Sequence, residues 1–235
     1  MNRRKLFTGI VPFIILVTGQ QGLAQSGPIR FDSSYLPHHI NDHWMYKAVL
    51  TSGNTYTYTV EITGREAFGG HDCMVYSSTT ASNHSTLNRF YAFTGNDRID
   101  CGSNTGANNG YISNIPGVAL PMTNSFPQTG IFTRTFHEST YTDVIYDNCS
   151  YTYRLNGTDN FWFRAGSTQF EAIKLDYSEN ITTTGKDYNV MTQDVTEWYV
   201  KGIGLVYTEV HDRRTNAILQ TTKLISAKID GVNFR

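Results

Sequence analysis

The fold class of this chain is decided by residues 56–62, which read YTYTVEI. Apolar and polar side chains alternate without error, so that the tyrosines share one face with Val60 and Ile62. The threonines and Glu61 share the other face. A period of two residues is typical of a half-buried β-strand. Residues 151–155, YTYRL, repeat the pattern. The sequence therefore predicts an all-β protein.

Similar strand patterns recur between residues 44 and 229, separated by turn signals such as GG at 69–70 and NG at 156–157. No segment shows a helical stripe with a cap. About ten strands joined by tight turns predict a curved antiparallel sheet, or half-barrel, with few helical residues, because such a sheet must curl to bury one face. Residues 102–130 are rich in Gly, Asn and Pro and predict a long loop.

Residues 1–24 read as a secretory signal peptide. A basic start at residues 3–5 precedes an apolar run from Leu6 to Val17, and GLA at 22–24 forms a small-residue cleavage site. The apolar run is shorter than the roughly 20 residues that span a bilayer, and the remainder of the chain holds no such run, which favours cleavage over anchoring. We therefore expect export to the periplasm or the extracellular space, with residues 25–235 forming a single β-rich domain.

Composition excludes two classes of partner. Charged residues make up 17% of the chain, and losing the three basic residues of the signal would take the formal charge from −1 to −4. That balance is unlike the basic surface of a nucleic-acid-binding protein. Polybasic clusters, which dock proteins electrostatically on membranes, are also missing from the sequence.

The three cysteines allow one disulfide in an exported protein. Cys101 and Cys149 lie in polar, loop-like contexts, whereas Cys73 lies inside an apolar strand pattern. We therefore favour a bridge between Cys101 and Cys149. No His or Lys neighbour supports a reactive thiol.

Three blocks of sequence resemble one family. They read YLP at 35–37 with WMY at 44–46, RAGSTQFEAIKL at 164–175, and EWYVKGIGLV at 197–206. In order and spacing they resemble a family of largely uncharacterised exported bacterial proteins. The resemblance implies a half-barrel sheet like that of the lipoprotein carriers of the bacterial envelope. It supports the fold much more than any activity.

Two positions depart from the family pattern. Asn41 stands where the opening block usually has Gly, and Arg164 stands where the second block usually has Pro. Asn tolerates a left-handed backbone, so the turn before Trp44 should survive. In the third block, Gly202 and Gly204 should let the chain turn so that Leu205 and Tyr207 face inward.

Metal ligands and catalytic groups are sparse. The best metal candidates, His38, His39 and His43, occupy the turn before Trp44, where solvated histidines are the simpler interpretation. We therefore predict no metal site and no cofactor.

Two carboxylate pairs could serve as acid and base, Glu138 with Asp143 and Glu171 with Glu197, but their separation decides the chemistry. The chain has no G-x-S-x-G nucleophile elbow. We therefore expect a protein that is not an enzyme, and a secreted hydrolase remains the third hypothesis.

The aromatic content, 13% of the chain, is the remaining functional signal. The concave face of a curved sheet is filled by side chains, covered by a loop, or left for an apolar ligand. The first hypothesis is thus an exported binding protein for a lipid, another apolar small molecule or an envelope component. The second is a structural or protein-interaction module with a filled core. The predicted ligand-binding residues are Trp44, Tyr46, Tyr58, Val60, Phe170 and Trp198.

Overall fold

The computed structural model describes residues 30–82, 84–95, 97–105, 110–122, 126–137, 144–163, 168–184 and 189–235. They form a short 3-10 turn at Ser33–Tyr35 and one antiparallel sheet of 13 strands. The strands are β1 His43–Leu50, β2 Thr55–Phe68, β3 His71–Thr80, β4 Thr86–Thr94, β5 Asp97–Thr105, β6 Gly110–Pro121, β7 Gln128–His137, β8 Val144–Phe161, β9 Phe170–Thr184, β10 Asn189–Val200, β11 Gly204–Asp212, β12 Ile218–Ile229 and β13 Val232–Phe234.

The sheet is a meander in which each strand pairs with its neighbour in sequence. In addition, β1 pairs with β12 along its whole length, from His43 opposite Lys228 to Leu50 opposite Gln220. A sheet whose first strand contacts its twelfth is strongly curved. The predictions of an all-β protein and of a curved antiparallel sheet are therefore confirmed. The predicted signal peptide, residues 1–24, and its cleavage site lie outside the described residues.

Alternation in the sequence produces the two faces of the sheet. In β1, Trp44, Tyr46 and Ala48 are buried, whereas Met45 and Lys47 between them are exposed. The buried set faces the inside of the curve, next to Tyr58 and Val60 of β2. Burying these side chains contributes about 1.5–3 kcal/mol for each large apolar group.

The entry to β1 is fixed by a buried carboxylate. Asn41 has a φ of 73°, so the left-handed turn expected at this position is confirmed. Asp42 is 1% exposed and accepts hydrogen bonds from the backbone N–H groups of His39, at 2.9 Å, and Asp230, at 2.8 Å. Asp230 lies in the turn between β12 and β13. We call this arrangement the Asp42 clasp; it ties the start of β1 to the end of β12.

The predicted long loop at residues 102–130 is wrong for the described residues, most of which belong to β5, β6 and β7. Pro116 fits because the pairing around it is irregular, and Pro121 is the last residue of β6. Along β5 and β6 the register shifts between Asp100 and Gly102, and β6 pairs with β7 at residues 112–114, before Pro116. Proline is tolerated in strands at bulges and unpaired edges because it lacks a backbone donor. Composition alone therefore misidentified these strands as loop.

The turn expected at Asn156-Gly157 is likewise a bulge inside β8. Gly157 has a φ of 91°, and the pairing with β9 shifts between Leu155 and Thr158. A bulge bends a strand without ending it, and a glycine with positive φ is one of its common forms.

The favoured Cys101–Cys149 bridge is wrong. Cys101 is a free, buried thiol in the same apolar cluster as Cys73, which is also free. Cys101 lies on β5 and Cys149 on β8, with β6 and β7 between them. Three strand spacings amount to about 14 Å. A disulfide needs Cα atoms within about 7 Å. Burial raises the pKa of the Cys73 thiol above its ordinary value, which opposes reactivity.

The turn between β10 and β11 uses two glycines for different reasons. Gly202 has a φ of 73°, and a Cβ there would meet nothing within 4 Å. Gly204 has a φ of 96°, and a Cβ there would lie 3.3 Å from Pro37 Cδ and 3.6 Å from Trp44 Nε1. Gly204 thus permits close packing of the Trp44 ring against the turn.

These two glycines form a matched pair for measurement. We expect Gly204→Ala to lower the free energy of unfolding by about 2–3 kcal/mol, because the backbone strain adds to the crowding. Gly202→Ala should cost about 1 kcal/mol, the cost of a left-handed backbone alone. Urea unfolding of both variants measures the difference, and equal losses would contradict the packing role of Gly204.

Candidate functional site

The inside of the curved sheet encloses a half-open cavity of about 1070 Å³. Strands β1 to β5 supply one wall, and β10 with β11 supplies the opposite one. The lining residues are Leu36, Pro37, Trp44, Tyr46, Tyr56, Tyr58, Val60, Tyr76, Ser78, Thr80, His84, Ser85, Thr86, Leu87, Arg89, Tyr91, Arg98, Glu197, Tyr199, Gly204 and Leu205. Along β1, β2, β3 and β10 the lining residues alternate, as one face of a strand requires. At the first residues of β4 and β11, adjacent residues both contribute.

Hydrogen bonds fix the aromatic wall in place. The Trp44 indole Nε1 donates to the carbonyl oxygen of Ile203 at 2.7 Å, and the Tyr46 hydroxyl donates to the carbonyl oxygen of Leu205 at 3.0 Å. The Tyr46 and Tyr58 rings stack with centroids 5.2 Å apart. Side chains held this way form a preorganised surface, which lowers the entropy cost of binding.

Four of the six predicted ligand-binding residues line this cavity: Trp44, Tyr46, Tyr58 and Val60. Thr57 and Thr59, between them on β2, are not among the lining residues. The structure therefore brings together the residues that alternation along β1 and β2 had grouped.

Trp198 does not line the cavity. Its neighbours Glu197 and Tyr199 do, and adjacent residues of a strand face opposite sides. Trp198 is half-buried and packs on Tyr207, with ring centroids 5.0 Å apart, beside a shallow hollow of about 330 Å³. The expectation that Tyr207 faces the cavity together with Leu205 is also wrong, because a bulge interrupts the alternation between them. A bulge in β11 places Leu205 opposite Tyr199 and Tyr207 opposite Trp198.

Phe170 is also outside the cavity. It lies at the start of β9, where its ring packs edge-on against Phe163, at 5.9 Å, and Phe234, at 6.3 Å. This aromatic group belongs to the main apolar cluster. Its contacts are those of core packing.

Three charged residues line the cavity, Arg89, Arg98 and Glu197. The sequence analysis named Glu197 as a candidate acid or base and missed both arginines. The guanidinium carbon of Arg98 lies 4.5 Å from the centroid of the Tyr91 ring, in cation–π geometry. Arg89 Nη1 donates to the Tyr91 hydroxyl at 3.5 Å. Arg89 is exposed, so solvent reaches this part of the cavity. The two guanidinium groups therefore share Tyr91 as a neighbour.

Glu197 is held by two hydroxyl groups. Its carboxylate accepts from Tyr199 at 2.6 Å and from Tyr177 at 3.3 Å. Burial raises the pKa of the Glu197 carboxyl above its ordinary value, while the Tyr199 hydrogen bond and the charge of Arg98 act in the opposite direction. The tyrosines remain neutral donors at neutral pH, since burial raises the pKa of Tyr58 to about 12 and raises the pKa of Tyr199 well above its ordinary value.

Two of the candidate metal ligands, His38 and His39, make contacts that stabilise the turn before β1. The His38 ring stacks on Phe93 with centroids 4.9 Å apart, and its Nδ1 lies 2.9 Å from the carbonyl oxygen of Leu36. His39 contributes its backbone N–H to the Asp42 clasp. Within the part of the chain that the structure describes, no group of three His, Cys, Asp or Glu residues is arranged to hold a metal ion.

The carboxylates proposed as acid and base do not meet in this cavity. Glu171 is exposed and is not a lining residue, whereas Glu197 is. Glu138 and Asp143 lie outside the described residues. Among the residues that line the cavity, Glu197 is thus the one carboxylate.

Comparison with known proteins gives structural likeness alone. No protein-family model and no curated protein matches the chain. A protein described provisionally as a lipoprotein from Parabacteroides distasonis is 16% identical, with a TM-score of 0.45 over 86% of this chain and 100% of that one. A protein from Bacteroides fragilis, described provisionally as an exported protein with a YmcC-like fold, is 12% identical. Its TM-score is 0.47 over 85% of this chain and 99% of that one.

The hypothetical lipoprotein YmcC from Escherichia coli is 11% identical, with a TM-score of 0.40 over 80% of this chain and 85% of that one. All three TM-scores lie below 0.5, so the proposal below rests on the cavity itself. Among the described residues, none forms a helix with the length and apolarity needed to cross a membrane.

Proposed function

We propose that this is an exported, non-enzymatic binding protein that holds an amphipathic small molecule, such as a lipid, in the cavity of its curved sheet. The observation that carries the proposal is a cavity of about 1070 Å³ walled by indole and phenol rings. Ligand pockets measure about 300–1,000 Å³ and are mostly apolar with a few placed polar groups. Export rests on the signal-peptide pattern of residues 1–24.

The cavity bears on the alternative hypotheses. An interaction module with a filled core would not need this volume inside its sheet. A hydrolase working by two carboxylates needs a second acid near Glu197. The residues that line the cavity supply none. Binding without catalysis is therefore the function that this site supports best, and an envelope component with an apolar part, as handled by lipoprotein carriers, falls within the same proposal.

The affinity for such a ligand depends on how much of its apolar surface is buried against the aromatic wall of the cavity. Each methylene buried against apolar rings contributes about 0.8 kcal/mol. An acyl chain of moderate length therefore gains useful affinity from the aromatic wall, and the placed tyrosine hydroxyls provide orientation.

A cavity-filling variant tests this proposal. Val60 lies opposite Trp44 and lines the cavity, so Val60→Trp should fill the space. We expect this variant to bind a fluorescent fatty-acid analogue at least about tenfold more weakly than the wild type, the equivalent of 1.4 kcal/mol. Thr59→Trp is the matched control, because Thr59 precedes Val60 on the same strand and is not a lining residue. Titration into delipidated protein gives both affinities. No saturable binding to the wild type at any acyl length would refute the proposal.

A further inference from the structure

The polar end of the cavity holds an excess of positive charge. Arg89 and Arg98 line it together with one acidic residue, Glu197. Arginine stays charged at all pH values relevant to a protein, so the lining carries more positive than negative groups near neutral pH. Arg89 is exposed to solvent, whereas Arg98 is partly buried. Removing a charge from water is costly unless it is paired, so Arg98 in particular requires an explanation.

Neighbouring acidic groups supply it only in part. The negative charge of Asp100 acts on Arg89, and that of Glu197 acts on Arg98. The ion pairs with a nitrogen–oxygen distance of 4.0 Å or less among the described residues are His39–Asp42, Arg65–Asp72, His211–Glu209 and Arg213–Asp194, and they include neither arginine. The nearest acid in the cavity, Glu197, gives its two oxygens to Tyr177 and Tyr199. The carboxylate is thus held by hydroxyls, while the guanidinium groups keep donors available.

One of those donors is orphaned. The Nε of Arg98 is buried and has no hydrogen-bond acceptor among the described residues. Most buried polar groups in proteins are paired, and an exception calls for a specific cause. Arg98 lies against the Tyr91 ring, a cation–π contact that does not use its N–H groups.

We propose that Arg89 and Arg98 bind the acidic head group of the ligand, a carboxylate or a phosphate, while the aromatic wall binds its apolar part; this inference rests on the proposed function. The planar guanidinium presents paired N–H donors that match carboxylate and phosphate oxygens. Tyr91, in contact with both arginines, positions them. The ligand class is then an anionic amphiphile.

The test compares amphiphiles that share one chain and differ in the head group. Dodecanoate, dodecyl phosphate, dodecanol and dodecyltrimethylammonium compete with the fluorescent fatty-acid analogue for the wild type. The ionic amphiphiles are kept below their critical micelle concentrations, and dodecanol is kept below its solubility limit. A charge-assisted hydrogen bond contributes about 1.5–3 kcal/mol, so at least one of the two anions should bind about tenfold or more tightly than the alcohol. The cation should bind more weakly than the alcohol.

Variants then assign the preference to residues. Arg98→Gln should bring the affinity ratio of anion to alcohol close to one, and Arg89→Gln should lower it. Glu197→Gln should raise the ratio, because it removes the one negative charge of the lining. Arg214→Gln is the matched control; Arg214 is exposed in the turn before β12 and should leave the ratio unchanged.

The outcomes separate the two proposals. If no amphiphile binds the wild type, the proposed function fails. If the alcohol binds as tightly as both anions, the binding function stands and the inference is overturned. The inference is also overturned if Arg98→Gln and Arg89→Gln, both folded by circular dichroism, keep the wild-type ratio. Because the wild-type comparison needs no variant, a misfolded variant does not prevent the decision.

Discussion

Replacing Trp44 with alanine is expected to lower the free energy of unfolding by about 3–5 kcal/mol, the usual loss for a buried tryptophan. Trp44 is 4% exposed, stacks near Tyr76 and donates its indole N–H to the Ile203 carbonyl. The variant therefore loses apolar contacts and leaves a carbonyl without its donor. Chemical denaturation followed by circular dichroism measures the change.

Trp162→Ala serves as the control for this variant. Trp162 is 41% exposed and follows the end of β8, so its removal should cost about 1 kcal/mol or less. An equal loss in the free energy of unfolding for the two variants would contradict the prediction that Trp44 stabilises the core more than Trp162 does. The Trp44 variant should also bind the fatty-acid analogue more weakly, because the same ring lines the cavity.

Replacing Asp42 with alanine is expected to cost about 3–5 kcal/mol, because two backbone donors would lose a charged acceptor and each hydrogen bond to a charged group contributes about 1.5–3 kcal/mol. These donors are the N–H groups of His39 and Asp230, which join the start of β1 to the turn after β12. We therefore expect the β1–β12 pairing to weaken. The free energy of unfolding in urea measures this loss.

The control for the Asp42 clasp is Asp72→Ala. Asp72 forms an ion pair with Arg65 at 2.9 Å, and both side chains are more than half exposed. Exposed ion pairs contribute about 0–1 kcal/mol. A loss for Asp42→Ala as small as that for Asp72→Ala would show that the clasp contributes little to stability.

The first strands and their inner face were predictable because one side of each is buried and the other is not. Alternation along residues 44–62 was enough to group Trp44, Tyr46, Tyr58 and Val60, and the structure places all four on one cavity. The left-handed turn at Asn41 was predictable because few residues other than Gly and Asn adopt it readily. These features depend on local geometry, which the sequence expresses directly.

The face of Trp198 was not predictable from alternation. Trp198 and Tyr199 are adjacent aromatics, and a period of two says that they face opposite sides without saying which side is the cavity. The bulge in β11 then changes the phase between Leu205 and Tyr207. Only the pairing between strands determines such a bulge.

The arginines of the cavity were missed for a related reason. On β4, Arg89 alternates with the buried Phe90, but Tyr91 is buried on the same side as Arg89. Because both faces of β4 carry apolar side chains, the alternation along this strand does not show which face lines the cavity. A charged residue in such a strand is ordinarily assigned to the protein surface. Arg89 does contact solvent, but it does so inside the cavity.

The pairing of β1 with β12 has a consequence for folding kinetics. Among the described residues, all other pairings join strands that follow each other in the chain, so they can form as successive hairpins, each in about 1–10 μs. The β1–β12 pairing joins distant parts of the sequence, and its loop-closure entropy is large until the hairpins between them have formed. We therefore expect this seam to form last, so that the cavity and its two arginines acquire their final geometry only at the end of folding.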